Sequence, residues 1–112
     1  MKKYNIIIDP VAEKQIKETF DYIAVQLDDR QAALAFLDMI ENSLLTLELF
    51  PESHPLVERE PWCSMGVRKI TIKSFIVYYR PYIERNAVYV LAVIYGKRDQ
   101  LKQLNELDFK NI

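Results

Sequence analysis

The apolar and polar positions divide the chain into a short strand, two helices, a connector and three further strands. Residues 4–8, YNIII, are β-branched and aromatic and stop at Asp9-Pro10, a pair suited to the N-cap and first position of a helix. From Val11 to Leu27 the apolar residues Ile16, Phe20, Ile23 and Leu27 recur at spacings of four, three and four, which predicts one buried helical stripe. Asp28-Asp29 offers a second N-cap. Ala33, Phe36, Leu37, Ile40, Leu44 and Leu47 then keep helical spacing until Phe50-Pro51 ends it, so two antiparallel helices joined by a tight turn are expected.

Residues 51–64, PESHPLVEREPWCS, contain three prolines and no sustained period, and are predicted to be a connector without a regular element. Long loops in compact domains often carry function, which makes His54 and Trp62 candidates there. The commoner roles are a solvated histidine and a tryptophan lid on the core.

After Gly66 the period becomes two. Arg68, Ile70 and Ile72 face one way and Lys69, Thr71 and Lys73 the other; Ser74 turns the chain, and Phe75, Val77 and Tyr79 alternate with Ile76, Tyr78 and Arg80. IERNA at 83–87 marks a second turn. The following VYVLAVIYG is apolar throughout, which places it inside a sheet, and KRDQLKQLNEL reads as a short C-terminal helical tail. The predicted order is β-α-α-β-β-β, an α+β fold in which a small antiparallel sheet packs on an N-terminal helical hairpin. Its second face is expected to be open and to carry the cations.

At 112 residues the chain closes one core, so residues 1–112 are expected to form a single domain. Neither a signal-peptide core nor a membrane span is present, which gives a cytoplasmic reading. One cysteine and one histidine provide no ligand set for a transition metal, and two glycines provide no phosphate-cradling loop; no cofactor is expected. The net charge of −1 is unevenly spread: residues 1–60 carry six cations against twelve carboxylates, and residues 61–112 carry nine against four. Arg68, Lys69, Lys73, Arg80, Lys97 and Arg98 lie among Tyr78, Tyr79 and Tyr95, residue types that fix phosphates and stack bases. Edge protection by the cations and core filling by the tyrosines are the plainer alternatives.

Taken in order, the strand entering DPVAEKQIKETFDYIA, the helix AALAFLDMIENSLLTLELFP, the GVRKI start of the sheet, FIVYYR and VYVLAVIYGKRD resemble the RelE/ParE toxins of bacterial type II toxin-antitoxin modules over nearly the whole chain. The resemblance implies a growth-inhibiting toxin neutralised by a cognate antitoxin from an adjacent gene. That antitoxin would present an acidic amphipathic segment, and operator DNA would be bound only through it. RelE-like members cleave mRNA on the ribosome without metal. For such an activity the resemblance makes Arg68 and Arg98 the catalytic candidates, with Lys69, Lys73, Tyr78, Tyr79, Arg80, Tyr95 and Lys97 as target- or antitoxin-binding residues. ParE-like members inhibit DNA gyrase. Ile76 stands where RelE-like nucleases place an arginine, and the tail QLKQLNELDFKNI has neither Tyr nor His, so the ParE-like reading is preferred over the RelE-like ribonuclease. A non-toxic RNA- or protein-binding domain is the third reading.

Overall fold

The computed structural model describes residues 3–96 and 100–105. β1 (Asn5–Ile8) leads into α1 (Pro10–Asp21), whose first turn is set by Pro10 and by the Asp9 carboxylate accepting from the Val11 N–H at 2.8 Å. A π-helical turn, Tyr22–Gln26, continues α1, and Asp28 then takes a positive φ of 50°. The Asp29 carboxylate caps α2 (Arg30–Leu49) by accepting from the Ala32 N–H at 3.0 Å. The connector holds a short helix, α3 (Trp62–Met65), closed by Gly66 in the left-handed region. β2 (Arg68–Ile72), β3 (Phe75–Tyr82) and β4 (Ala87–Tyr95) follow, with Lys73 and Asn86 at positive φ in the two turns, and α4 (Gln100–Asn105) comes last.

The expected architecture is borne out, and the sheet is mixed rather than antiparallel throughout. Its order is β1-β4-β3-β2, with β1 parallel to β4 and both other pairs antiparallel. The helical hairpin and connector carry the chain to the opposite edge, where β2 runs in the same direction as β1, and two antiparallel reversals then lay β4 beside β1 and parallel to it. β4 is an interior strand, as its uninterrupted apolar sequence predicts.

Two clusters of buried residues form, one on each face. On the helix side, Ile23, Phe36, Ile40 and Leu47 pack on Ile70, Phe75, Val77, Tyr79, Val88, Val90 and Val93. Phe36 meets Phe75 edge-on at 4.9 Å, a geometry that adds about 0.5–1.5 kcal/mol to area burial. The second face is not open. Val57, Trp62 and Val67 from the connector and Leu104 from α4 cover Tyr78, Leu91, Ala92 and Ile94. Part of the apolar composition of the connector and tail thus goes into a second core, which a two-layer reading leaves out. The connector also guards the sheet edge, since Lys69 donates its N–H to the Pro55 carbonyl at 3.0 Å and Val57 donates to Val67 at 2.9 Å.

A bulge in β4 reconciles the two clusters. Tyr78 pairs with Ala92 while Tyr79 pairs with Val90, so Leu91 is an extra residue and Leu91 and Ala92 both join the second cluster. β1 ends opposite Val90, and the Val93 N–H beyond it donates to the Gln15 side chain of α1 at 2.8 Å. Among the described residues no helix is long and apolar enough to cross a membrane.

Candidate functional site

The sequence-derived candidates separate into three places. Arg68 and Tyr79, cross-strand partners, share the helix-side face near the C-terminal end of α2. The Arg68 guanidinium donates to the His54 carbonyl at 2.6 Å and the Glu52 carbonyl at 3.3 Å, and lies 3.6 Å from the Glu52 carboxylate. Tyr79 is fully buried and the His54 ring meets it edge-on at 6.4 Å. Burial pushes the Tyr79 phenol up to about 12, partly offset by the Arg68 charge and the nearby His54 backbone. Its hydroxyl makes no hydrogen bond of good geometry among the described residues.

Lys73 and Tyr95 meet at a second place. Both line a groove of about 290 Å³ between the π-helical turn, α2 and the β2–β3 turn, with Ile23, Leu27, Phe36 and Phe75 among its walls. Leu27, predicted to be in the core stripe, is instead about half exposed at this groove, because the π-helical turn rotates the end of the helix off its 3.6-residue register. Val25 beside it is 71% exposed, and Tyr22 tilts against Tyr95 at 6.1 Å. Among the described residues the groove is therefore largely apolar, with Lys73 as its one cation and Asp29 as its one carboxylate.

Lys69, Tyr78 and Arg80 lie on the second face. Tyr78 is buried in the second cluster, its phenol pushed up by desolvation and its hydroxyl donating to the Gln100 amide oxygen at 3.0 Å. Trp62 is a lid on that cluster, the commoner of its two roles. Arg80 stacks on the ring of Tyr82 with its guanidinium carbon 4.7 Å from the centroid, and Arg85 does the same at 5.0 Å. Tyr82 in turn meets Tyr89 edge-on at 5.1 Å. Tyr82, Arg85 and Tyr89 were not among the sequence candidates. The alternation through Tyr78 and Arg80 points to Tyr82, whereas Arg85 arrives through the 3₁₀ turn at Ile83–Arg85, which a period-two pattern does not reveal. Lys97 and Arg98 lie outside the described residues. Among the described residues no group of three or more His, Cys, Asp or Glu side chains is placed to hold a metal ion.

The sequence matches the family described as the ParE toxin of the type II toxin-antitoxin system, parDE, over residues 6–100. The chain belongs to the ParE toxin family. It is thus a toxin of a type II toxin-antitoxin system, and no protein of curated function matches it in sequence. Solved structures with the ParE-family fold include three that resemble this chain. A chromosomal ParDE system from P. aeruginosa superposes with a TM-score of 0.66 at 17% identity, covering 85% of this chain and 98% of that one. The RelBE2 toxin-antitoxin complex from Mycobacterium tuberculosis gives 0.61 at 16% identity over 85% and 93% of the two chains. The isolated E. coli RelE toxin gives 0.55 at 15% identity over 91% and 94%. The ParE-family fold here matches both toxin types along nearly its full length.

Proposed function

We propose that this ParE-family toxin arrests growth by acting on DNA gyrase and not by cleaving mRNA. The observation that carries the reading is that, among the described residues, the catalytic candidate Arg68 and the sheet tyrosines Tyr78 and Tyr79 are committed to structure, the other catalytic candidate, Arg98, lying outside them. Arg68 spends its donors on the connector carbonyls, and both Tyr78 and Tyr79 are buried with phenols raised further from neutrality. Acid–base cleavage near neutral pH needs a group that exchanges a proton there and reaches the substrate. Neither tyrosine meets that need.

The cognate antitoxin is the expected partner, in keeping with the toxin-antitoxin assemblies among its structural relatives. The groove at Phe36 and Phe75 suits an amphipathic segment that inserts an apolar side chain and sets a carboxylate on Lys73. Controlled expression of the chain, followed within minutes by assays of chromosome breakage and of mRNA ends, tests the target. DNA breakage with intact mRNA is expected. Ribosome-phased mRNA cuts with intact DNA would replace this reading with the ribonuclease one and return Arg68 to catalysis.

A further inference from the structure

The part of the second sheet face not covered by the connector and α4 continues past Tyr78 to the far end of β3 and β4. There Arg80 and Tyr89 are register partners, Tyr82 and Tyr89 touch, and Arg85 closes over Tyr82 from the following turn. Lys69 lies on the same face one strand away, opposite Tyr78. A concavity of about 320 Å³ is lined by Tyr82, Ile83, Glu84 and Arg85.

Two guanidiniums held against one aromatic ring form an ordered device. The contact with the ring restrains each side chain near Tyr82, and guanidinium is the side-chain group whose donors match phosphate oxygens in pairs. Among the described residues the ion pairs are Lys3–Glu48 and Arg68–Glu52, so neither Arg80 nor Arg85 is matched by a carboxylate. Tyr82 is occupied by the two guanidiniums, and Tyr89, half-buried and edge-on to it, supplies the aromatic surface beside them. Arginine and aromatic surface side by side is the combination that holds single-stranded nucleic acid, whose unpaired bases are free to stack. Unlike the groove at Phe36, this concavity has Ile83 as its one aliphatic wall among the described residues, which argues against an amphipathic acidic peptide as its occupant.

We propose that Arg80, Tyr82, Arg85 and Tyr89 form a binding site for one nucleotide unit of a single-stranded polynucleotide. The two arginines, ordered on Tyr82, hold its phosphate and Tyr89 meets its base. Glu84 on the rim opposes the phosphate and keeps the site weak. Lys69 extends the track along the sheet, which is why a strand is favoured over a free nucleotide.

The test is fluorescence anisotropy with the purified full chain and a labelled single-stranded oligonucleotide of about ten residues, titrated at several salt concentrations. Binding is expected, with Arg80→Ala/Arg85→Ala weakening it about tenfold or more and flattening the salt slope by about 1.4, the value for two lost phosphate contacts to a single strand. Glu84→Gln is expected to tighten binding. Tyr82→Phe, which keeps the ring, is expected to leave it unchanged. Lys14→Ala/Lys17→Ala, on the exposed side of α1, removes the same charge elsewhere and serves as the control. Absence of binding, an equal loss in the Lys14/Lys17 variant, or an unchanged affinity in the Arg80/Arg85 variant would overturn the site. Competition by poly-glutamate as effective as by unlabelled oligonucleotide would reassign it to an acidic protein. Equal affinity for adenosine monophosphate would overturn the strand in favour of a free nucleotide. The readout does not involve growth arrest, so it stands or fails separately from the gyrase reading.

Discussion

The Arg68 guanidinium donates to the His54 carbonyl across 2.6 Å, fastening the first strand of the β2–β3 hairpin to the connector that follows α2. The same side chain reaches the Glu52 carbonyl, so one residue ties down two positions of a segment with little regular structure. Below that tie the connector pairs with β2 and delivers Val57 and Trp62 to the second core.

If Arg68 is a clasp, Arg68→Ala lowers the unfolding free energy by about 1.5–3 kcal/mol, the range for hydrogen bonds to charged donors. Glu52→Gln changes it by less than about 1 kcal/mol, because that carboxylate is exposed and its ion pair is screened. Denaturant titrations of both variants check this. A catalytic Arg68 would behave in the opposite way, with activity lost and the denaturation midpoint unchanged.

Tyr79 gives the fold an alkaline limit. Its phenol ionises near 10 in the unfolded chain and only at about 12 in the folded one, so folding favours the neutral form. The contribution is whole below pH 10 and is lost as pH rises from 10 through 12. Above both values, the penalty on the buried phenolate is on the order of 3 kcal/mol. Tyr79→Phe is expected to raise stability at neutral pH by about 1 kcal/mol, since it removes a buried hydroxyl with no good partner, and to make the decline above pH 10 shallower. Thermal unfolding across pH 8 to 12 would show both effects.

Much of this architecture was legible because its signals are local. Asp9-Pro10 and Asp29 cap the helices they announce, Phe50-Pro51 ends α2, and the period-two alternation from Arg68 to Arg80 sets the strands. What escaped depends on departures from a regular period or on distant contacts. Leu27 leaves the core because five residues before it wind as a π-turn, and Leu91 and Ala92 share a face because of a bulge. The single candidate face divided into three because Lys73 sits in a turn at the groove, Arg68 faces the helices, and Arg80 faces away from them. Alternation alone separates Arg68 from Lys69, but nothing in it tells which side the connector will cover.

The groove beside Lys73 gives a prediction for the antitoxin. Ala35 lines it and is exposed, so Ala35→Trp fills the groove without disturbing Phe36 in the core beneath. Lys73→Glu reverses the cation that the described residues place on its lip. Each variant is expected to weaken copurification with the cognate antitoxin while leaving toxicity in its absence intact. An antitoxin complex of undiminished affinity in both variants would move the antitoxin seat elsewhere on the surface.

Gln15 gives the last prediction, and it concerns the join between the helix layer and the sheet. β1 stops pairing with β4 at Val90, so the Val93 N–H faces the underside of α1 with no strand to receive it. The Gln15 amide oxygen takes its place at 2.8 Å. Gln15→Leu keeps an apolar filling of similar length but leaves a buried backbone donor unpaired, which costs about 1–3 kcal/mol. Gln15→Glu retains an acceptor at the same reach and is expected to restore most of that loss at neutral pH. Comparing the two by denaturant unfolding separates hydrogen-bond satisfaction from packing. If Gln15→Leu proved as stable as the parent chain, the α1–β4 join would owe its strength to the apolar contacts of Ala12 and Phe20 instead.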